Sequence, residues 1–133
     1  MPDPVTHLLD THAWVWLVKG EPQASPIANL PTGTVLGLAS ISVWEVGMLE
    51  AKGRLVLQPD VRTWVNSALL GLRLLPLDAE AALRATRLPG SVHGDPADRI
   101  IVATAQILKV PLLTADARLI RYGKQGHLQV LAL

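Results

Sequence analysis

Apolar and polar residues alternate along this chain in short blocks. Residues 5–9 form an apolar run that stops abruptly at Asp10, the pattern of a strand buried on both faces. Residues 11–19 read as a short helix ended near Gly20 and Pro22. Residues 25–30 read as another, with Ser25 as N-cap and Pro26 as the first helical residue. After a turn at 31–33, residues 34–39 read as a second strand. Within 40–52, Ile41, Trp44, Met48 and Ala51 fall at helical spacing, Ser42 and Glu45 match a capping box, and Gly53 closes the helix. Residues 60–70 are a further helix, with Val61, Trp64, Val65, Ala68 and Leu69 on one side. Residues 73–77 read as a third strand. Residues 78–88 read as an alanine-rich helix stopped by Pro89-Gly90. Beyond a loop at 91–96, residues 97–109 carry the broadest apolar stripe: Ile100, Ile101, Ala103, Thr104, Ile107 and Leu108. Residues 110–114 read as a strand, 115–122 as a short helix or turn, and 128–131 as a last strand. Strand and helix in regular alternation predict an α/β fold with a parallel sheet covered on both faces.

Composition narrows the class. A chain of 133 residues, half of them hydrophobic, predicts one domain with a substantial core. That core is aliphatic, since the chain has no Phe, one Tyr and four Trp. Trp14, Trp16, Trp44 and Trp64 are expected in the core or at a partner interface. A formal net charge of +1 confines any nucleic-acid surface to a local patch. The absence of cysteine excludes disulfides, thiol catalysis and thiolate metal sites, and it fits a reducing cytoplasm. The N-terminal residues lack the basic and apolar regions of a signal peptide. No apolar stretch approaches the roughly 18 residues of a membrane span.

Four acids sit where a strand should end or a helix should begin: Asp10, Glu45, Asp98 and Asp116. In an open parallel sheet, ligands bind beyond the carboxyl ends of the strands, so all four are expected at one rim. Converging carboxylates resist ionising together unless cations neutralise them. The arrangement predicts a site for a hard divalent ion, Mg²⁺ or Mn²⁺, with one or two ions satisfying the same acids. Each acid also has a structural reading. Asp10 fits an N-cap, Glu45 a capping-box acid, Asp98 an ion pair with Arg99 or a dipole complement, and Asp116 a turn aspartate. Thr11 and Thr114 are candidates for bonds to a ligand carboxylate, or for local capping. His12 and His93 have the chemistry of acid–base groups. Candidate phosphate-binding cations are Lys52, Arg54, Arg99, Arg118 and Arg121.

The segments LLDTHAWVWL, ISVWEVGMLEAKGRL and HGDPADRIIVATAQILKVPLLTAD, in this order and across nearly the whole chain, resemble the PIN-domain ribonucleases, most closely the VapC toxins of type II toxin–antitoxin systems. The resemblance implies a single PIN-like domain over 1–133. It would be a three-layer α/β/α fold with a central, mainly parallel sheet of four to five strands. It implies an endoribonuclease toxin dependent on Mg²⁺ or Mn²⁺. A VapB-type antitoxin would neutralise the toxin, which would form a homodimer in the cytoplasm. Asp10, Glu45, Asp98 and Asp116 match the family's four acids. Asp95, in HGDP, is an additional acid expected beside them as an auxiliary ligand. Two readings compete. A phosphoacceptor signalling domain would also gather acids at a sheet rim, but it pairs two adjacent acids early with a later strand-end lysine. A non-catalytic interaction module would keep the fold and not the reaction.

Overall fold

The computed structural model describes residues 3–92 and 94–133. His93, a candidate acid–base group, lies outside the described residues. Five strands, β1 (His7–Leu9), β2 (Leu36–Ala39), β3 (Arg73–Leu75), β4 (Leu112–Thr114) and β5 (Val130–Ala132), form one sheet in the order β3-β2-β1-β4-β5. Every pairing is parallel, with Leu8 opposite Gly37 and Leu112, and Leu113 opposite Leu131. The strands are shorter than the runs that announce them: β1, β2 and β4 begin two residues into theirs, and β3 ends two residues early.

The alternation of side chains across the sheet builds two cores. Leu8, Ala39 and Leu112 face α5 (Ala79–Ala85), α6 (Pro96–Leu108) and α7 (Ala117–Lys124). Leu9, Leu38 and Leu113 face α1 (Thr11–Lys19), α2 (Ser25–Ala28), α3 (Ile41–Ala51) and α4 (Val61–Ala68). Adjacent residues serve opposite faces, so strands read as unbroken apolar runs, and the three-layer α/β/α expectation holds. Trp14 is fully buried, donates its indole N–H to Ala68 O at 3.0 Å and packs against Trp64 with ring centroids 5.3 Å apart. Trp44, by contrast, is 58% exposed.

Two of the expected N-terminal caps do not form. Ser25 is not an N-cap: a 3₁₀ turn at Pro22–Ala24 leads directly into α2, Ala24 takes the cap position and no side chain caps it. The Ser42–Glu45 capping box does not form either. Ser40 stands at the cap of α3, and Ser42 is fully buried inside the helix, hydrogen-bonded to another element. Elsewhere aspartates cap cleanly. Asp60 and Asp78 accept from the N–H groups of Thr63 and Ala81, starting α4 and α5 one residue later than the pattern alone suggests.

Candidate active site

The chain reverses direction of growth across the sheet at β1. β2 and β3 lie on one side of it, β4 and β5 on the other. The crevice between the carboxyl ends of β1 and β4 is therefore the switch point where α/β sheets bind ligands. A cavity of about 340 Å³ opens there, lined by Asp10, Thr11, His12, Trp16, Glu45, Asp95, Asp98, Ala115, Asp116 and Arg118.

Asp10 forms its floor. The residue is 6% exposed, caps α1 by accepting from Ala13 N–H at 2.8 Å, and receives a hydrogen bond from the Thr114 hydroxyl. Burial pushes its carboxyl above the usual range, against the pull of those bonds. The capping role expected of Asp10 is thus real and coexists with its place in the cavity. Thr114, fully buried at the end of β4, links two acids, since its Oγ1 also accepts the Asp116 N–H at 3.0 Å.

Thr11 plays the matching part on the other side. Its hydroxyl is hydrogen-bonded to the Glu45 carboxylate and stands 2.8 Å from Ser42 Oγ. These contacts lock α1 to α3 and fix the Glu45 rotamer. Glu45 is half-buried, and its carboxyl is raised by burial and by the neighbouring charge of Asp95 despite the Thr11 bond. The helix that matters most is α6. Asp95 is its N-cap, with Oδ1 accepting from Ala97 N–H at 2.9 Å and Asp98 N–H at 3.4 Å. Asp98 then sits in the first turn. One carboxylate oxygen each from Glu45, Asp95 and Asp98 lies within 4.8 Å of the others. Burial, then repulsion from Asp95, Glu45, Asp116 and Asp10, pushes the Asp98 carboxyl up to about 7.

Asp116 is arranged differently. It caps α7 by accepting the Arg118 N–H at 2.8 Å, and its Oδ2 is 3.5 Å from the Arg118 guanidinium. Burial raises this carboxyl, but the bonds and charge from Arg118 outweigh it, and the group titrates below its usual range. Asp116 remains ionised at the rim while Asp98 holds its proton more tightly.

The cations separate by position. Arg118 lines the cavity, and Arg121 lies one turn further along α7. Arg99 turns away: its Nε donates to Ala85 O at 2.8 Å and its guanidinium also reaches Val92 O, tying α6 to the segment that follows α5. This bracing role takes the place of the expected ion pair with Asp98, because the Ala85 and Val92 carbonyls engage its Nε and one guanidinium nitrogen. Lys52 and Arg54 follow α3, about 10 Å of helix beyond Glu45, and are exposed away from the cavity. His12 and Trp16, one helical turn apart on α1, meet at a tilt of 46° with ring centroids 6.0 Å apart and form one wall. The sequence pattern does not announce that wall. Its only signal is the i, i+4 spacing just after an acid-bearing strand end.

A parallel doubly wound sheet with carboxylates gathered at its switch point defines an α/β protein with an acidic, cation-attracting centre. The PIN domain family model matches residues 7–125. The chain is 35% identical over 117 residues to Ribonuclease VapC22 of Mycobacterium tuberculosis, covering 86% of this chain and 89% of that protein. Its fold matches the VapBC2 complex of Rickettsia felis bound to a promoter DNA fragment, with TM-score 0.72 and 15% identity over 96% of this chain and 98% of that one. It also matches M. tuberculosis VapC20, a Sarcin-Ricin loop cleaving toxin, with TM-score 0.61 and 16% identity over 89% and 95%. The chain belongs to the PIN-domain family and, within it, to the VapC group.

Proposed function

We propose that this chain, as a single domain, is a VapC-type endoribonuclease toxin that hydrolyses RNA phosphodiester bonds with the help of Mg²⁺ or Mn²⁺. The single observation that carries the reading is the cluster of Glu45, Asp95 and Asp98 in a cavity shared with Asp10 and Asp116. All the donors are hard carboxylate oxygens, the chemistry such cations prefer. Burial, then repulsion from the neighbouring acids, holds Asp98 near 7, and a cation relieves that repulsion. The donor set therefore fits the ion. Glu45, Asp95 and Asp98 would hold it, with Asp10 beneath and Asp116 at the rim; Asp95 ranks here as a ligand rather than an auxiliary acid.

A bound cation supplies counter-charge and lowers the pKa of water. The chain's own residues do the rest. Thr11 and Thr114 hold the Glu45 and Asp10 carboxylates in fixed rotamers. Asp98 would serve the ion as the ionised carboxylate. Arg118, kept at the rim by Asp116, meets the phosphate of the incoming strand, and His12 and Trp16 wall the cavity beside it. VapC22 is named a ribonuclease and VapC20 a cleaving toxin, and VapBC-5 of M. tuberculosis is described as a member of a family of toxin–antitoxin systems. These relatives support RNA as substrate and a VapB-type antitoxin as partner, and the proposal includes a toxin homodimer. Among the described residues, no helix is long and apolar enough to cross a membrane.

Asp10→Asn tests the reading. Asparagine keeps the α1 cap but removes the charge. Expected is a loss of RNA cleavage by about 100-fold or more, with growth arrest on expression abolished and the fold intact. Undiminished cleavage and toxicity would overturn it.

A further inference from the structure

A second cavity of about 240 Å³ adjoins the acidic one and shares Arg118 with it. Arg121, Tyr122 and Gln125 of the α7 segment and Ser91 of the loop before α6 form its other polar lining. Arg118, Arg121, Tyr122 and Gln125 are spaced i, i+3, i+4 and i+7, so one helix face presents two guanidiniums and an amide in a row. Two like charges at i, i+3 cost an isolated helix stability. Asp116 offsets that cost for Arg118. Among the described residues Arg121 forms no ion pair, and it is exposed. Lys124 shares the last turn of α7 with Arg121, and both complement the helix dipole, but only Arg121 lines the cavity.

We infer that this cavity is a subsite for single-stranded RNA flanking the scissile bond, with Arg121 contacting a backbone phosphate and Gln125 the adjoining nucleotide. The inference rests on the ribonuclease reading and deepens it. Arg118 stands at the junction of the two cavities. The chain's net charge is only +1, so a phosphate strand needs such a local cationic path. Donors at Arg121 and Gln125 suit a phosphate–nucleotide unit, and the open cavity suits a flexible single strand more than a rigid duplex.

The test uses purified, antitoxin-free full chain with Mg²⁺. Its substrates are an RNA cut at a mapped position and two shortened RNAs, each trimmed on one side to the single nucleotide that completes the scissile bond. Arg121→Ala is expected to raise KM about tenfold on the long RNA. It should leave kcat within about twofold and reduce the single-strand salt slope by about 0.7. Gln125→Ala should raise KM without changing the slope. Both losses should vanish on one of the shortened RNAs, and Arg121→Lys should restore most of the affinity. Lys124→Ala, which removes an equivalent dipole charge outside the cavity, should behave as wild type. An Arg121→Ala effect no larger than that of Lys124→Ala, or one persisting equally on both shortened RNAs, would overturn the subsite. Wild-type protein that cleaves no RNA sinks the ribonuclease reading itself; cleavage with Arg121 and Gln125 both dispensable sinks only the subsite.

Discussion

Asp98→Asn should make the metal-free protein more stable while destroying its activity. Burial and four neighbouring acids hold the Asp98 carboxyl at about 7 in the fold, against 3.8 when unperturbed. The folded state therefore keeps a proton that the unfolded chain releases. Stability from this group is fully present below 3.8 and is lost as pH rises through about 7. At about 1.4 kcal/mol per pH unit the separation gives a ceiling of about 4 kcal/mol. Partial solvent access screens this to about 2 kcal/mol. The substituted amide carries no charge to desolvate, so at about pH 8 the variant should gain most of that, raising Tm by roughly 5–8 °C in a chain of this size. Below about pH 4 the difference should shrink to near zero. Thermal unfolding followed by circular dichroism, with EDTA present, measures both. Added Mg²⁺ should raise the wild-type Tm, by about 2.7 kcal/mol of stability at a hundred times Kd. The variant should gain much less. Equal Tm values for wild type and variant at alkaline pH, or a wild-type Tm that climbs from pH 4 to 7, would refute the electrostatic reasoning.

Two further outcomes follow from the packing. Thr11→Val removes the hydroxyl that bonds Glu45 and adjoins Ser42. It should cost about 1–3 kcal/mol in denaturant unfolding and raise the Mg²⁺ concentration needed for half-maximal cleavage, with Thr11→Ser restoring both. Trp14→Phe leaves Ala68 O without its indole donor and loosens the contact with Trp64. A loss of about 1–3 kcal/mol is expected in the same unfolding assay, with KM for RNA unchanged, because the ring lies in the core away from the cavity.

Much of this molecule is legible in the sequence because parallel strands buried on both faces leave unbroken apolar runs. Leu8-Leu9, Leu38-Ala39 and Leu112-Leu113 each supply one residue to either core. The gathering of Asp10, Glu45, Asp98 and Asp116 in one cavity follows from strand ends at a switch point. What the pattern does not carry is side-chain choice. Ser42 fits a capping box three residues before Glu45, yet tertiary contact with Thr11 outcompetes the local bond. Asp95 reads as an accessory acid, yet capping α6 turns it toward Glu45 and Asp98. Arg99 directly follows an acid, but one residue is about 100° around a helix, so its guanidinium finds Ala85 O instead.

On the proposed mechanism water, activated at these carboxylates, attacks the phosphodiester, which requires no help from the RNA's own 2′-hydroxyl. Cleavage of an oligoribonucleotide carrying a single 2′-deoxy residue at the mapped cut site tests it most directly. The expected result is Mg²⁺-dependent cutting of that substrate at a rate close to the all-ribo control, abolished by EDTA and by Asp10→Asn, with no cyclic phosphate on the products. Failure to cut the deoxy substrate, with 2′,3′-cyclic phosphate ends on the control, would contradict it.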